Sequence, residues 1–218
     1  RRPHLDPWNK IELGWIAPTV VNGSAGWHLL DPVEANGSII KLQTPAHGEE
    51  EYFLVENRWA AGSQYETQLP DSGLAIWHIN EAYLPDQRRA VALERAGGGA
   101  NSGAGSDYCN DDQDNTALYD ASRSFYNSSA PAAKWSDGTN SNIAALCIGP
   151  PGKQVPVYLS ANFNQTVLPQ DGAEPNDTPA LAGAVTPGVY NYTLHAACDT
   201  DLFTYTHWKG DALTVTVN

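Results

Sequence analysis

The positions of the histidines limit the chemistry open to this chain. The six are His4, His28, His47, His78, His195 and His207. A zinc protease needs two histidines one helical turn apart, with a carboxylate between them to activate water. No HExxH occurs, nor any histidine pair four apart. No G-x-S-x-G elbow marks a serine hydrolase. The run "GGGANSGAG" (97–105) lacks the lysine and the strand–helix context of a phosphate-binding loop. Nothing local supports a Cys–His nucleophile pair. The expectation is a chain with no complete catalytic centre.

Carboxylates and amides say more. Asp107, Asn110, Asp111, Asp112 and Asp114 fall in one stretch, with Asp120 just beyond. Calcium takes about six to eight hard oxygens, often from a flexible loop. The spacing is not that of an EF-hand, because the glycine at the sixth position and the glutamate at the twelfth are missing. A calcium loop and a solvated acidic loop both fit. A second group, Glu174, Asn176 and Asp177 with Asp199 and Asp201, is weak on spacing alone.

Composition narrows the partners. The net charge of -13 excludes nucleic acid and anionic membrane surfaces, both of which need basic patches. No stretch approaches the roughly 20 apolar residues of a membrane span. The opening "RRPHLDPW" resembles neither a signal peptide nor an initiator start, so a mature piece or fragment is expected. Three cysteines, Cys109, Cys147 and Cys198, have no CxxC spacing, which leaves one disulfide and one thiol. Cys109–Cys147 is the preferred pair, since both lie in the same expected domain, but the pairing stays open. Six Asn-x-Ser/Thr sites, at Asn22, Asn36, Asn127, Asn164, Asn176 and Asn191, matter only in a glycosylating host.

The elements that must position these residues are short and mainly β. Asp6-Pro7 is an N-cap followed by proline, which predicts a helix over about 7–13 ended by Gly14. Then "TVV", "GWHLLD", "SIIKLQ", "EYFLVENR", "GLAIWHIN" and "AVALERA" read as a β meander. Turn sequences such as "NGSAG" and "EANG" separate them. "SNIAALCIG" and "QVPVYLSA" are further strands, and "NQTVLPQDGAEP" reads as a linker. In "GLAIWHIN" both faces are apolar, which predicts a central strand. A buried His78 then needs a partner, and Glu56 on "EYFLVENR" is the expected one. His78 reads as a hydrogen-bonded core residue ahead of a metal ligand.

Four of these stretches together resemble a known family. "PHLDPWNKIELGWI" (3–16), "EEYFLVENR" (50–58), "SGLAIWHIN" (72–80) and "SDGTNSNIAAL" (136–146) resemble, in order, immune-inhibitor-A-type secreted zinc metalloproteases. The resemblance covers roughly 3–160. It implies that the zinc-binding helix belongs before Arg1, with zinc in the parent enzyme only. The absence of Met fits a start beyond that family's Met-containing turn. It also implies that His4 lies near the cleft without making it a ligand, and a surface histidine at a helix start is the preferred reading. "AEPNDTPALAGAV", "CDTDLFTYTH" and "GDALTVTVN" resemble a bacterial pre-peptidase C-terminal domain. That similarity makes Glu174, Asn176, Asp177, Asp199 and Asp201 the better calcium candidates.

The expectation is a mainly β chain with a short N-terminal helix. An antiparallel meander or sandwich occupies 1–163, a linker 164–175, and a smaller β-sandwich, cut short, 176–218. The expected function is the non-catalytic C-terminal portion of a secreted zinc metalloendopeptidase. It would bind calcium and partner the catalytic zinc domain and its protein substrate. The alternative is a freestanding β-sandwich that binds glycan or protein through aromatics such as Trp59, Tyr65, Tyr83 and Trp208.

Overall fold

The computed structural model describes residues 4–45, 47, 49–62, 66–84, 90–97 and 116–164, with strand backbone at 183–185 and 203–205. The chain divides into two compact units, Arg1–Gln165 and Thr166–Asn218.

The first unit is mainly β. Helix α1 (Pro7–Glu12) starts as its sequence dictates. Asp6 is extended, and its carboxylate accepts the backbone N–H of Asn9 at 2.9 Å. It ends at Gly14, whose positive φ of 69° suits a residue without a Cβ. Strands β1 (Thr19–Asn22), β3 (Ile39–Gln43), β4 (Glu51–Arg58), β5 (Gly73–Asn80) and β6 (Val91–Leu93) form one sheet in the order β1-β3-β4-β5-β6. From β3 to β6 it is the antiparallel meander that the sequence predicts. β1 departs from it and pairs with β3 in parallel. The reason is that β2 (Ala25–Leu30) leaves for a second sheet, ordered β2-β8-β7, with β7 (Ala144–Leu146) and β8 (Val155–Ser160). "EANG", expected as a turn, is instead a one-turn helix α2 (Val33–Asn36) closed by Gly37 in the left-handed region.

The core lies between the two sheets. Ile40, Leu42, Phe53, Val55, Leu74 and Ile76 meet Leu30, Val155, Val157 and Leu159, with Tyr119, Phe125 and Ile143 filling the gaps. The opposite face of β4 and β5 is covered as well. There Tyr52, Leu54 and Ile79 pack with Trp8 of α1, Val33 and Ile39. All eight residues of β4 are buried, as are seven of the eight in β5. Both are central strands, as the apolar character of both faces predicted for β5, and they carry the polar clusters described next.

In the second unit, β9 (Gly183–Val185) and β10 (Phe203–Tyr205) pair in parallel. No helix among the described residues is long and apolar enough to cross a membrane.

Candidate functional site

Two buried polar clusters flank β4 and β5, one on each face. The first joins α1 to the sheet. Lys10 turns inward rather than to solvent and is 3% exposed. Its Nζ lies 3.4 Å from Glu56 Oε2. Glu56 is fully buried and also accepts from Arg58 Nη1 at 3.1 Å and Trp77 Nε1 at 3.2 Å. Arg58 in turn forks onto Glu66, donating from Nε at 2.8 Å and Nη2 at 2.9 Å. A planar guanidinium suits such bidentate pairing. Glu66 also accepts the backbone N–H of His4 at 2.9 Å, and Arg58 Nη2 donates to the His4 carbonyl at 3.4 Å. Two cations and two carboxylates thus neutralise each other out of water. Burial pulls Lys10 below its usual value, and Glu56 only partly restores it. Burial pulls on Arg58 as well, but Glu56 and Glu66 outweigh it and raise the guanidinium.

Beside this cluster, Glu81 accepts from the Tyr52 hydroxyl at 2.6 Å and from Trp8 Nε1 at 3.3 Å. Burial, then Glu81, pushes the Tyr52 phenol up.

The second cluster lies on the other face, around His78. Its Nε2 is 2.8 Å from Glu51 Oε1, and its Nδ1 is 3.5 Å from Glu94 Oε1. The ring stacks on Phe53 at 4.5 Å. Glu51 is shared. Its Oε1 also accepts the backbone N–H of Ser136 at 2.7 Å, and its Oε2 lies 2.8 Å from His47 Nε2. His47 stacks flat on Trp135, with ring centres 4.3 Å apart. Asn80 donates to the Ser136 hydroxyl at 3.0 Å. Burial works against a charged His78, but the two carboxylates outweigh it and raise the imidazole above its ordinary value. Burial likewise works against Glu51, but hydrogen bonds from His78, Ser136 and His47 prevail and hold it at about 2.

His78 is therefore a hydrogen-bonded core histidine, but Glu56 is not its partner. The register places Phe53 opposite His78 and Glu56 opposite Ala75. Directly opposed residues share a face, so odd-numbered residues of β4 face even-numbered residues of β5. Glu51 thus reaches His78, and Glu56 faces Trp77 and α1. Glu51 opens the predicted strand "EYFLVENR", but nothing local in the sequence marks it as the partner of His78. Only the register would have identified it. His4 is half-buried at the α1 start, and its backbone, not its ring, supplies the contacts described above.

The metal candidates Asp107, Asn110, Asp111, Asp112, Asp114, Glu174, Asn176, Asp177, Asp199 and Asp201 lie outside the described residues. Among the described residues, no group of three or more His, Cys, Asp or Glu side chains is arranged to hold a metal ion. Cys147 is disulfide-bonded, and both other cysteines lie outside the described residues. Of the aromatics suggested for sugar stacking, Trp59 and Tyr83 are half-buried at opposite ends of the β4–β5 hairpin, whereas Tyr65 and Trp208 are not described. No protein-family model matches the chain, and no curated protein or solved structure is significantly similar to it.

Proposed function

We propose that this chain is the non-catalytic C-terminal portion of a secreted zinc metalloendopeptidase, supporting the catalytic zinc domain and binding calcium. One observation supports the reading most. The stretches that resemble the protease family interlock through their polar residues. Lys10 of "PWNKIELGW" meets Glu56 of "YFLVENR", and Glu56 accepts from Trp77 of "GLAIWHIN". His78 of "GLAIWHIN" shares Glu51 with Ser136 of "SDGTNSNIAAL". A nucleophile or general base must face a substrate and keep a free valence for it. Here Lys10, Glu51, Glu56, Arg58 and His78 of the motifs are buried and bonded to other protein groups, which suits a supporting role.

Calcium enters this reading through the acidic groups at 107–114 and 174–201, and zinc belongs to the parent enzyme. The reading is tested by incubating the purified chain with casein and zinc. Cleavage that a chelator abolishes would overturn it.

A further inference from the structure

The His78 cluster does more than satisfy a buried ring: it fastens a turn to the sheet. The 135–138 turn is built locally, with Gly138 N–H donating to the Trp135 carbonyl at 2.9 Å and Trp135 N–H to Thr139 at 3.0 Å. Described side-chain contacts hold it to the sheet and the neighbouring loop, and the buried Trp135 ring also lies against Phe53 and His78 of the sheet, with ring centres 5.5 and 6.3 Å apart. Glu51 accepts the Ser136 N–H, Asn80 Nδ2 donates to the Ser136 hydroxyl, and His47 stacks on Trp135. Glu51 also holds His47, so the Ser136 bond and the His47 stack both run through one carboxylate.

We propose that His78 and Glu51 form an acid-fastened latch. With His78 doubly protonated, Glu51 clamps the 135–138 turn and His47 onto the sheet. When His78 loses its proton, the clamp loosens and the turn releases.

The geometry gives the reason. Imidazolium donates from both ring nitrogens, whereas neutral imidazole donates from one. Here each nitrogen faces a carboxylate, Glu51 on β4 and Glu94 on β6. Whichever tautomer forms, a lone pair then opposes a buried carboxylate, which is costly in a poorly solvated site. The other ionisable groups nearby are His47, bonded to Glu51; Asp137, close enough to His47 and Glu51 to feel both; and the buried Tyr119 hydroxyl beside Glu94. No lysine or arginine among the described residues is bonded to Glu51, which leaves the buried His78 and the more exposed His47 as the groups able to hold it as cations.

The sign follows from the two shifts. His78 is raised from 6.5, so its contribution is complete below that value and is lost as pH rises through the folded-state value. Glu51 is lowered to about 2 from 4.5, so its contribution is complete above 4.5 and is lost only as pH falls toward 2. The latch is fastened in mild acid and opens on the alkaline side.

The test is an NMR titration of the purified chain between about pH 5 and 9, a range that brackets the free imidazole value. It follows the His78 ring together with hydrogen exchange at the Ser136 amide, corrected for hydroxide catalysis. His78 is expected to titrate above 6.5. Ser136 should lose protection through the same midpoint, by about tenfold for each unit that His78 stands above its free value. In His78→Gln, which has no titrating ring, the corrected exchange should be flat with pH. In His47→Gln the transition should persist at the His78 midpoint. A His78 that titrates at or below its free value overturns the latch, as does corrected exchange that is flat in the wild-type protein. A transition that disappears in His47→Gln assigns the trigger to His47 and also overturns it.

Discussion

Replacing Glu56 by glutamine tests whether the α1 cluster is a buried ionic network or a set of incidental contacts. Glutamine keeps the volume and some hydrogen bonding but removes the charge. Glu56 is fully buried, and its loss leaves Lys10 and Arg58 with Glu66 as their only described carboxylate partner. Removing one member of a buried ion pair costs about 3–5 kcal/mol, because the other charge stays out of water. A domain's entire stability is only about 5–15 kcal/mol. For a unit of this size, with about 2–4 °C lost per kcal/mol, the melting point should fall by roughly 6–20 °C. Lys10 already sits below its usual value, so it can shed its proton and limit the loss at alkaline pH. Urea unfolding at neutral pH is the assay, with an unchanged slope required for a two-state comparison. Adding Lys10→Met should recover part of the loss, with a coupling of about 0.5–3 kcal/mol between the two sites. A loss below about 1 kcal/mol, the scale of an exposed pair, would refute the reasoning.

Two further outcomes follow. Thermal melts in calcium at about 10 mM, above the ~1 mM dissociation constants of weak extracellular sites, should lie higher than melts in chelator. Identical curves would remove calcium from the proposal. The Tyr119 hydroxyl is buried and has no hydrogen-bond partner among the described residues. Tyr119→Phe should therefore be neutral or stabilising by about 1–2 kcal/mol in urea unfolding, and a loss larger than about 1 kcal/mol would point to an unseen bond.

Much of the first unit was legible in its sequence because the signals were local. The Asp6-Pro7 cap, the alternating strands and the two-faced apolar pattern of "GLAIWHIN" each depend on neighbours within a few residues. What could not be read depends on pairing between distant segments. The assignment of His78 to Glu56 fails because shifting the register by one residue exchanges the faces of the whole strand. The Arg58–Glu66 fork and the inward turn of Lys10 are likewise invisible in a linear pattern, since a lysine on a short helix ordinarily faces water. The departure of β2 to a second sheet is set by its partner β8, more than 120 residues later. No local signal encodes that choice.

The central claim is that these motifs provide architecture and that the reaction centre lies elsewhere in a larger enzyme. It is tested most directly by assaying two purified proteins on casein with zinc, with and without chelator. One is this chain, and the other is the same chain extended upstream through its coding sequence. The account predicts chelator-sensitive cleavage by the extended protein and none by the chain alone. Chelator-sensitive cleavage by the chain alone, or none by the extended protein, would contradict it.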